Sequence, residues 1–360
     1  MSELELTIDL DRIVTLNDFE TFARERMDPG AYDYVAGGAW NEISLRESVE
    51  AWQRYRFVPR VLQDRRTIDP LGSFLGRRAA LPVAVAPMAF QELAHPMGEV
   101  ATVAGAAAFG VPYCLSTSAS RTIEEVAAAA PDAERWFQLY FTESLEITQD
   151  LVVRAADARY RALVVTVDLP VLGYRDRDRR SGFIVPRRVN VPADVEGPPG
   201  APDGPAEEEP VVLTWADLER IRSWSDLSFV VKGILSADDA RTAAELGVDA
   251  IVVSTHGARQ LDRVIPTAEA LPRIVDAVEG RCEVWVDGGI RRGLDVLTAL
   301  ALGATGVLVG RPIYWALAAA GQAGVEHALE ILRDEIRIAL PLIGVSSPGE
   351  LTRDHLTGAR

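Results

Sequence analysis

The stretch Glu283-Val284-Trp285-Val286-Asp287-Gly288-Gly289-Ile290-Arg291-Arg292-Gly293 decides the fold. Three apolar residues run without interruption, end in an aspartate and two glycines, and give way to a Leu- and Ala-rich helical pattern over residues 291–302. An unbroken apolar run suits a strand buried on both faces, as parallel strands covered by helices are. The paired glycines mark the turn between strand and helix.

The same theme recurs along the chain. Apolar runs at residues 81–87, 112–116, 136–140, 162–168, 229–233, 250–254, 283–288 and 306–310 make eight, with helical patterns between them such as 236–246, 267–278 and 291–302. Eight strand–helix units predict an α/β fold of the (β/α)8 TIM barrel type, with an open doubly wound sheet as the alternative. A length of 360 residues is ordinary for one such barrel. Residues 1–70 stand outside the repeat and read as a helical N-terminal segment, with Asp18 opening a helix toward Arg26 and a second helix over 41–52. Residues 71–360 then form the barrel. One connection, 187–211, is rich in proline, glycine and acids and is expected to be mobile. A simple insertion and a lid over the active face both fit it.

Composition narrows the function. Apolar residues make up 48%, enough for a large core, and the net charge of -16 repels phosphate, which argues against nucleic-acid or anionic-membrane partners. The two cysteines, Cys114 and Cys282, lie in apolar runs and read as reduced core thiols. The start of the chain has no leader-like pattern, and no window approaches the roughly 20 apolar residues of a membrane span. The expectation is a cytoplasmic protein.

In a barrel the strand ends converge on one face. Here they supply Pro87, Met88 and Ala89, then Ser116, Gln138 and Tyr140, Thr166 and Asp168, Lys232, Ser254 and His256, Asp287-Gly288-Gly289, and Gly310-Arg311. The last two sets read as a phosphate site: glycines let backbone N–H groups approach an anion, and Arg291 and Arg311 add charge. A Gly-Gly pair alone also suits a tight turn. Of four histidines, His327 and His355 read as surface residues and His95, before Pro96, as a cap or packing group. His256 follows a strand end with Arg259 three residues on, a base beside a guanidinium that can clamp a carboxylate. No Cys or His spacing suggests a metal, so the base is expected to work with an organic cofactor.

The run Ser254-Thr255-His256-Gly257-Ala258-Arg259-Gln260-Leu261-Asp262 strongly resembles the signature of the FMN-dependent 2-hydroxy acid oxidising enzymes, which include glycolate oxidase, lactate oxidase and mandelate dehydrogenase. The resemblance extends from Tyr32-Asp33-Tyr34 to about residue 343. It implies a (β/α)8 barrel with FMN at the strand ends, and a homo-oligomer, tetramer or octamer. It assigns Tyr34, Tyr140, Arg175 and Arg259 to the substrate, His256 to the base, and Asp168 to the carboxylate that pairs with the imidazolium. Lys232 falls beside the flavin N1 and C2 oxygen. Pro87, Met88, Ala89, Ser116, Gln138, Thr166 and Ser254 fall at the isoalloxazine and ribityl parts, and Asp287, Gly288, Gly289, Arg291, Gly310 and Arg311 at ribityl and phosphate.

The departures from the pattern are informative. Thr255 replaces a common asparagine, and Val35 replaces a common tyrosine. Ser118 stands where the glycolate-oxidising members carry a tryptophan, which enlarges the pocket toward bulkier acids, mandelate among them. Ala89 occurs at its position in the oxidases more than in the dehydrogenases. The implied reaction is oxidation of a small-molecule (S)-2-hydroxy acid to the 2-oxo acid, with O2 as acceptor and H2O2 as by-product. A dehydrogenase passing electrons to a quinone or protein, or a flavin enzyme acting on a peptide-derived substrate, is the alternative. A redox-neutral isomerase would have no use for a carboxylate clamp.

Overall fold

A computed structural model describes residues 8–142, 144–192 and 213–358. Eight parallel strands close into a barrel in sequence order: β1 (Val83–Val85), β2 (Tyr113–Ser116), β3 (Arg135–Leu139), β4 (Ala162–Thr166), β5 (Ser228–Ile234), β6 (Ala250–Val253), β7 (Glu283–Asp287) and β8 (Gly306–Val309). The unbroken apolar runs have a geometric cause, because successive side chains point to opposite faces. Val83, Val85, Leu115, Phe137, Leu163 and Val231 meet the outer helices. Ala84, Cys114, Trp136, Val164, Val230, Val252, Trp285 and Leu308 fill the interior.

The barrel floor is a feature the sequence did not announce. A hairpin of Gly72–Phe74 with Arg77–Ala79 crosses the lower end. It inserts Phe74 edge-on to Trp136 and Trp285, at 5.4 and 5.3 Å between ring centroids. The two indoles stack at 4.7 Å and 13°. Gly306 opens β8 as glycine because a Cβ there would lie 2.4 Å from the Phe74 ring.

Before the barrel come helices Asp18–Arg26, Pro29–Ala36 and Ile43–Glu50. Asp28 caps the second by accepting hydrogen bonds from the amides of Gly30 and Ala31, with Pro29 in the first turn. The helix expected over 41–52 is thus shorter, and a 3-10 turn, Trp52–Arg54, follows it. The patterns at 236–246, 267–278 and 291–302 form Ala237–Glu245, Thr267–Val278 and Gly293–Ala301. A long final helix, Arg311–Ile343, is kinked where Ala320 and Gly321 leave helical angles.

His327 on that helix corrects a sequence expectation. It is partly buried rather than a surface residue, with Nε2 2.8 Å from the Ile13 carbonyl and its ring edge-on to Phe19. Cys114 is buried in the barrel, whereas Cys282 is only partly so. Residues 193–212, most of the segment expected to be mobile, lie outside the described residues. No helix among the described residues is long and apolar enough to cross a membrane.

Candidate active site

Alternation along the strands builds the site. On β3 and β7, Gln138 and Asp287 stand two residues beyond the floor indoles Trp136 and Trp285 and share their inward direction. Above them opens a cavity of about 600 Å³ at the C-terminal ends of the strands. Its wall includes Tyr34, Pro87, Met88, Ala89, Ser116, Ser118, Gln138, Tyr140, Thr166, Arg175, Lys232, His256 and Arg259, and at the far end Asp287, Gly288, Gly289, Arg291, Gly310 and Arg311. Asp168 and Ser254 stand behind that wall.

His256 is the centre of a line of three groups. Its Nδ1 lies 2.9 Å from Asp168 Oδ1 and its Nε2 3.1 Å from the Tyr140 hydroxyl. Burial lowers the imidazole pKa from 6.5 and outweighs the opposing pull of Asp168. The ring is therefore neutral at pH 7, with Nδ1–H donated to Asp168 and Nε2 open to a proton. Burial resists ionisation of Asp168, yet facing His256 and Lys232 it is held below the usual carboxylate range. The Tyr140 phenol is pushed up to about 12 by burial, so it stays a donor.

The backbone around His256 is strained. His256, Gly257 and Ala258 have φ of 56°, 62° and 60° in succession. Two of the three are not glycine, and such conformations persist only where the surroundings hold them. Thr255 Oγ1 accepts from the Ala258 amide at 3.2 Å, and the Arg311 guanidinium donates to the Gly257 carbonyl at 2.9 Å. The threonine at position 255 thus has a defined task in this chain.

Lys232 is buried at the cavity floor. Its Nζ donates to Ser254 Oγ at 3.0 Å and lies 3.3 Å from Asp287 Oδ2. Burial works against its charge, but Asp287 and Asp168 prevail and push the ammonium up to about 12. Ser254 is 0% exposed, and its Oγ also accepts from the His256 amide at 3.0 Å. Its position ties the lysine to the histidine turn.

The arginines Arg175, Arg259, Arg291 and Arg311 follow four different strands, β4, β6, β7 and β8. Arg175 is 6% exposed, and its Nε donates to the Arg259 carbonyl at 3.3 Å. Arg259 donates to the carbonyls of Tyr34 and Gly37 and lies over the Tyr34 ring at 4.9 Å. Arg311 donates to the carbonyls of Val35, Gly257 and Gly37. Burial first, then the nearby Arg259 and Arg291 cations, push Arg311 down to about 9. A guanidinium does not lose its proton in a protein, so the strain becomes a demand for an anion. Glycine at 289 serves the fold as well, because a Cβ there would lie 1.9 Å from the Ser48 carbonyl. Trp52 Nε1 donates to the Gly288 carbonyl, so the N-terminal helices brace this turn.

Two residues escaped the sequence reading. Gly233, at φ 115°, lies against Asp168; a Cβ would meet its Cβ and Cγ at 2.7 Å. Gly173 lets the loop after β4 touch the Arg259 loop, where a Cβ would lie 2.2 Å from the Arg259 carbonyl. Beside the polar wall runs an apolar one of Phe90, Phe141, Val167, Leu169, Val171 and Leu172. Its sequence signal was the apolar Leu169-Pro170-Val171-Leu172 directly after Asp168.

Residues 23–358 match the family described as FMN-dependent dehydrogenase. The chain is 45% identical to an L-lactate oxidase of Nostoc sp., covering 95% of this chain and 98% of that one. It is 46% identical to a 4-hydroxymandelate oxidase of Amycolatopsis orientalis, at 94% and 97% coverage. A crystal structure of a mandelate oxidase with (S)-4-hydroxymandelic acid superposes with a TM-score of 0.89 at 45% identity, over 96% of this chain and 98% of that one. This chain belongs to the FMN-dependent dehydrogenase family.

The residues present fit FMN. Asp287 Oδ1 is buried with no hydrogen-bond partner, an acceptor suited to a ribityl hydroxyl. The cluster of Arg259, Arg291 and Arg311 calls for an anion at the end of the cavity where a phosphate would lie.

Proposed function

We propose that this protein oxidises (S)-2-hydroxy acids to 2-oxo acids with dioxygen as final acceptor, releasing hydrogen peroxide, and prefers medium-sized or aromatic acids such as mandelate. The observation that carries the reading is His256, held neutral between Asp168 and Tyr140 in a cavity that also presents Arg175 and Arg259. The relatives named as oxidases of lactate and 4-hydroxymandelate support it, as does Ala89. Ser118 beside the apolar wall supports the bulkier substrates.

In this reading Arg175, Arg259 and Tyr34 hold the substrate carboxylate, and Tyr140 holds the hydroxyl. His256 Nε2 takes the hydroxyl proton, and Asp168 stabilises the imidazolium that results. Lys232 places a fixed cation at the cavity floor, where developing negative charge is stabilised away from water. FMN, when bound, would supply the acceptor for the two electrons and the hydrogen that leave the substrate α-carbon. Pro87, Met88, Ala89, Ser116, Gln138 and Thr166 would hold its ring and chain, with Ser254 supporting Lys232 from behind. Asp287, Gly288, Gly289, Arg291, Gly310 and Arg311 would hold the ribityl and phosphate end.

The test is to mix the yellow holoenzyme anaerobically with acids from glycolate to mandelate. Bleaching by mandelate, reversed by air with peroxide released, is the expected result. If no acid bleaches it, the reading fails; if air does not restore the colour, the acceptor is a quinone or a protein.

We further propose that the chain works in the cytoplasm as a homotetramer or octamer. Two unpaired thiols suit a reducing compartment. Val61, Leu62, Ile338 and Leu342, between 64% and 100% exposed, supply apolar surface for self-association. Analytical ultracentrifugation giving a monomer would refute the assembly.

A further inference from the structure

Phe90 sits in the loop after β1 with φ 50° and ψ 54°, a left-handed conformation unusual for a residue with a bulky side chain. It is 3% exposed, lines the cavity and packs against the Tyr34 ring at 6.3 Å. A strained residue beside a pocket persists only if its peptide groups are held. Here three elements hold them. The Phe90 amide donates to the Ser118 carbonyl at 2.9 Å. Its carbonyl accepts from the Tyr314 hydroxyl at 2.6 Å, on the helix that begins at Arg311. The next amide, Gln91, donates to Glu99 Oε1 at 3.1 Å.

Glu99 carries the arrangement further. The same Oε1 accepts from the Ser120 amide at 2.8 Å, so one carboxyl oxygen joins the loops after β1 and β2. Those loops carry Ala89 and Ser118 into the cavity. The Gln91 side chain is itself fixed, donating to the Tyr113 hydroxyl at 3.1 Å and accepting from Thr102 at 2.5 Å. Glu99 is 0% exposed, and its Oε2 is buried with no hydrogen-bond partner. Burial pushes its carboxyl above the usual range, toward the neutral form that a glutamine would mimic. A lone buried carboxyl is a costly way merely to fill space.

We propose that Glu99 is a positioning residue that holds Phe90 in its left-handed turn, and that Phe90 is the apolar wall selecting a bulky group on the substrate. The proposal rests on the 2-hydroxy acid reading of the site. It accounts for the joined loops, the strain at Phe90 and the contact between Phe90 and Tyr34. Glu99 touches neither substrate nor cofactor and acts through Phe90.

The holoenzyme tests it through flavin absorbance, titrated with 2-oxo-2-phenylacetate and with pyruvate. Glu99→Ala should weaken the aromatic ligand by about tenfold relative to pyruvate, the effect of one net hydrogen bond. Glu99→Gln keeps an acceptor oxygen and should restore the ratio to within about threefold. Phe90→Ala should reproduce the loss, and adding Glu99→Ala to it should change the ratio little, because the two act as a unit. An unchanged ligand ratio in Glu99→Ala or in Phe90→Ala overturns the proposal, as does an equal loss for both ligands. A wild-type holoenzyme that responds to neither ligand overturns the 2-hydroxy acid reading itself, and this proposal with it.

Discussion

His256 must accept a proton, then live as a cation until it gives the proton up. Burial secures the first condition by lowering its pKa, and Asp168 at 2.9 Å secures the second. The sign of the pH dependence follows. The base works unprotonated, so kcat/KM is full above its pKa and falls as pH drops through it, and the acid limb should lie below the ordinary 6.5. An acid limb above 6.5 would show instead that Asp168 outweighs burial at the imidazole. His256→Gln should lose about 10²- to 10⁴-fold in turnover while the protein still purifies yellow. Asp168→Asn should also slow turnover, because the imidazolium loses its counter-charge. This histidine was legible in the sequence because its neighbours are local: Gly257 and Arg259 follow at once. Asp168 lies 88 residues away, and the sequence connected the two only through the family resemblance.

Among the elements, strand ends were easier to read than the loops they lead into. Strand ends converge on one face of a barrel, so Gln138, Lys232 and Asp287 follow from the apolar runs that they close. Gly233 did not follow. In sequence it is one more glycine closing an apolar run, and only the fold sets it against Asp168 with no room for a Cβ. Gly233→Ala should therefore displace Asp168 and reduce kcat by about a hundredfold, the scale of a 1 Å misplacement, with FMN content unchanged. Normal kcat would show that the site tolerates the shift. Ser118→Trp fills the space beside the apolar wall and should move the preference of kcat/KM from mandelate toward glycolate. If the preference is unmoved, Ser118 does not set the pocket's size. Two of the three N-terminal helices were legible as helices; Pro29–Ala36, which carries Tyr34, was not, nor was the role of any of them. The Ala39 amide donates to the Ala258 carbonyl and the Trp40 amide to the Tyr174 carbonyl, each at 2.8 Å. These bonds bring Tyr34 to the strand-end face from outside the repeat.

At the scale of the whole molecule, the eightfold repeat was legible and its closure at the bottom was not. Residues 72–79 hold no apolar run, and Phe74 has meaning only once Trp136 and Trp285 stand opposite it. Removing that ring leaves a void among fully buried side chains, so Phe74→Ala should cost about 3–5 kcal/mol, read from the urea midpoint. A shift below about 1 kcal/mol would mean the floor had collapsed around the gap. The same stopper governs traffic. With the indoles stacked across the axis, nothing can run through the barrel from end to end, so a spent molecule leaves by the face through which its successor arrives. Arrivals and departures share one threshold, and at high concentration the next guest can stand in the way of the last.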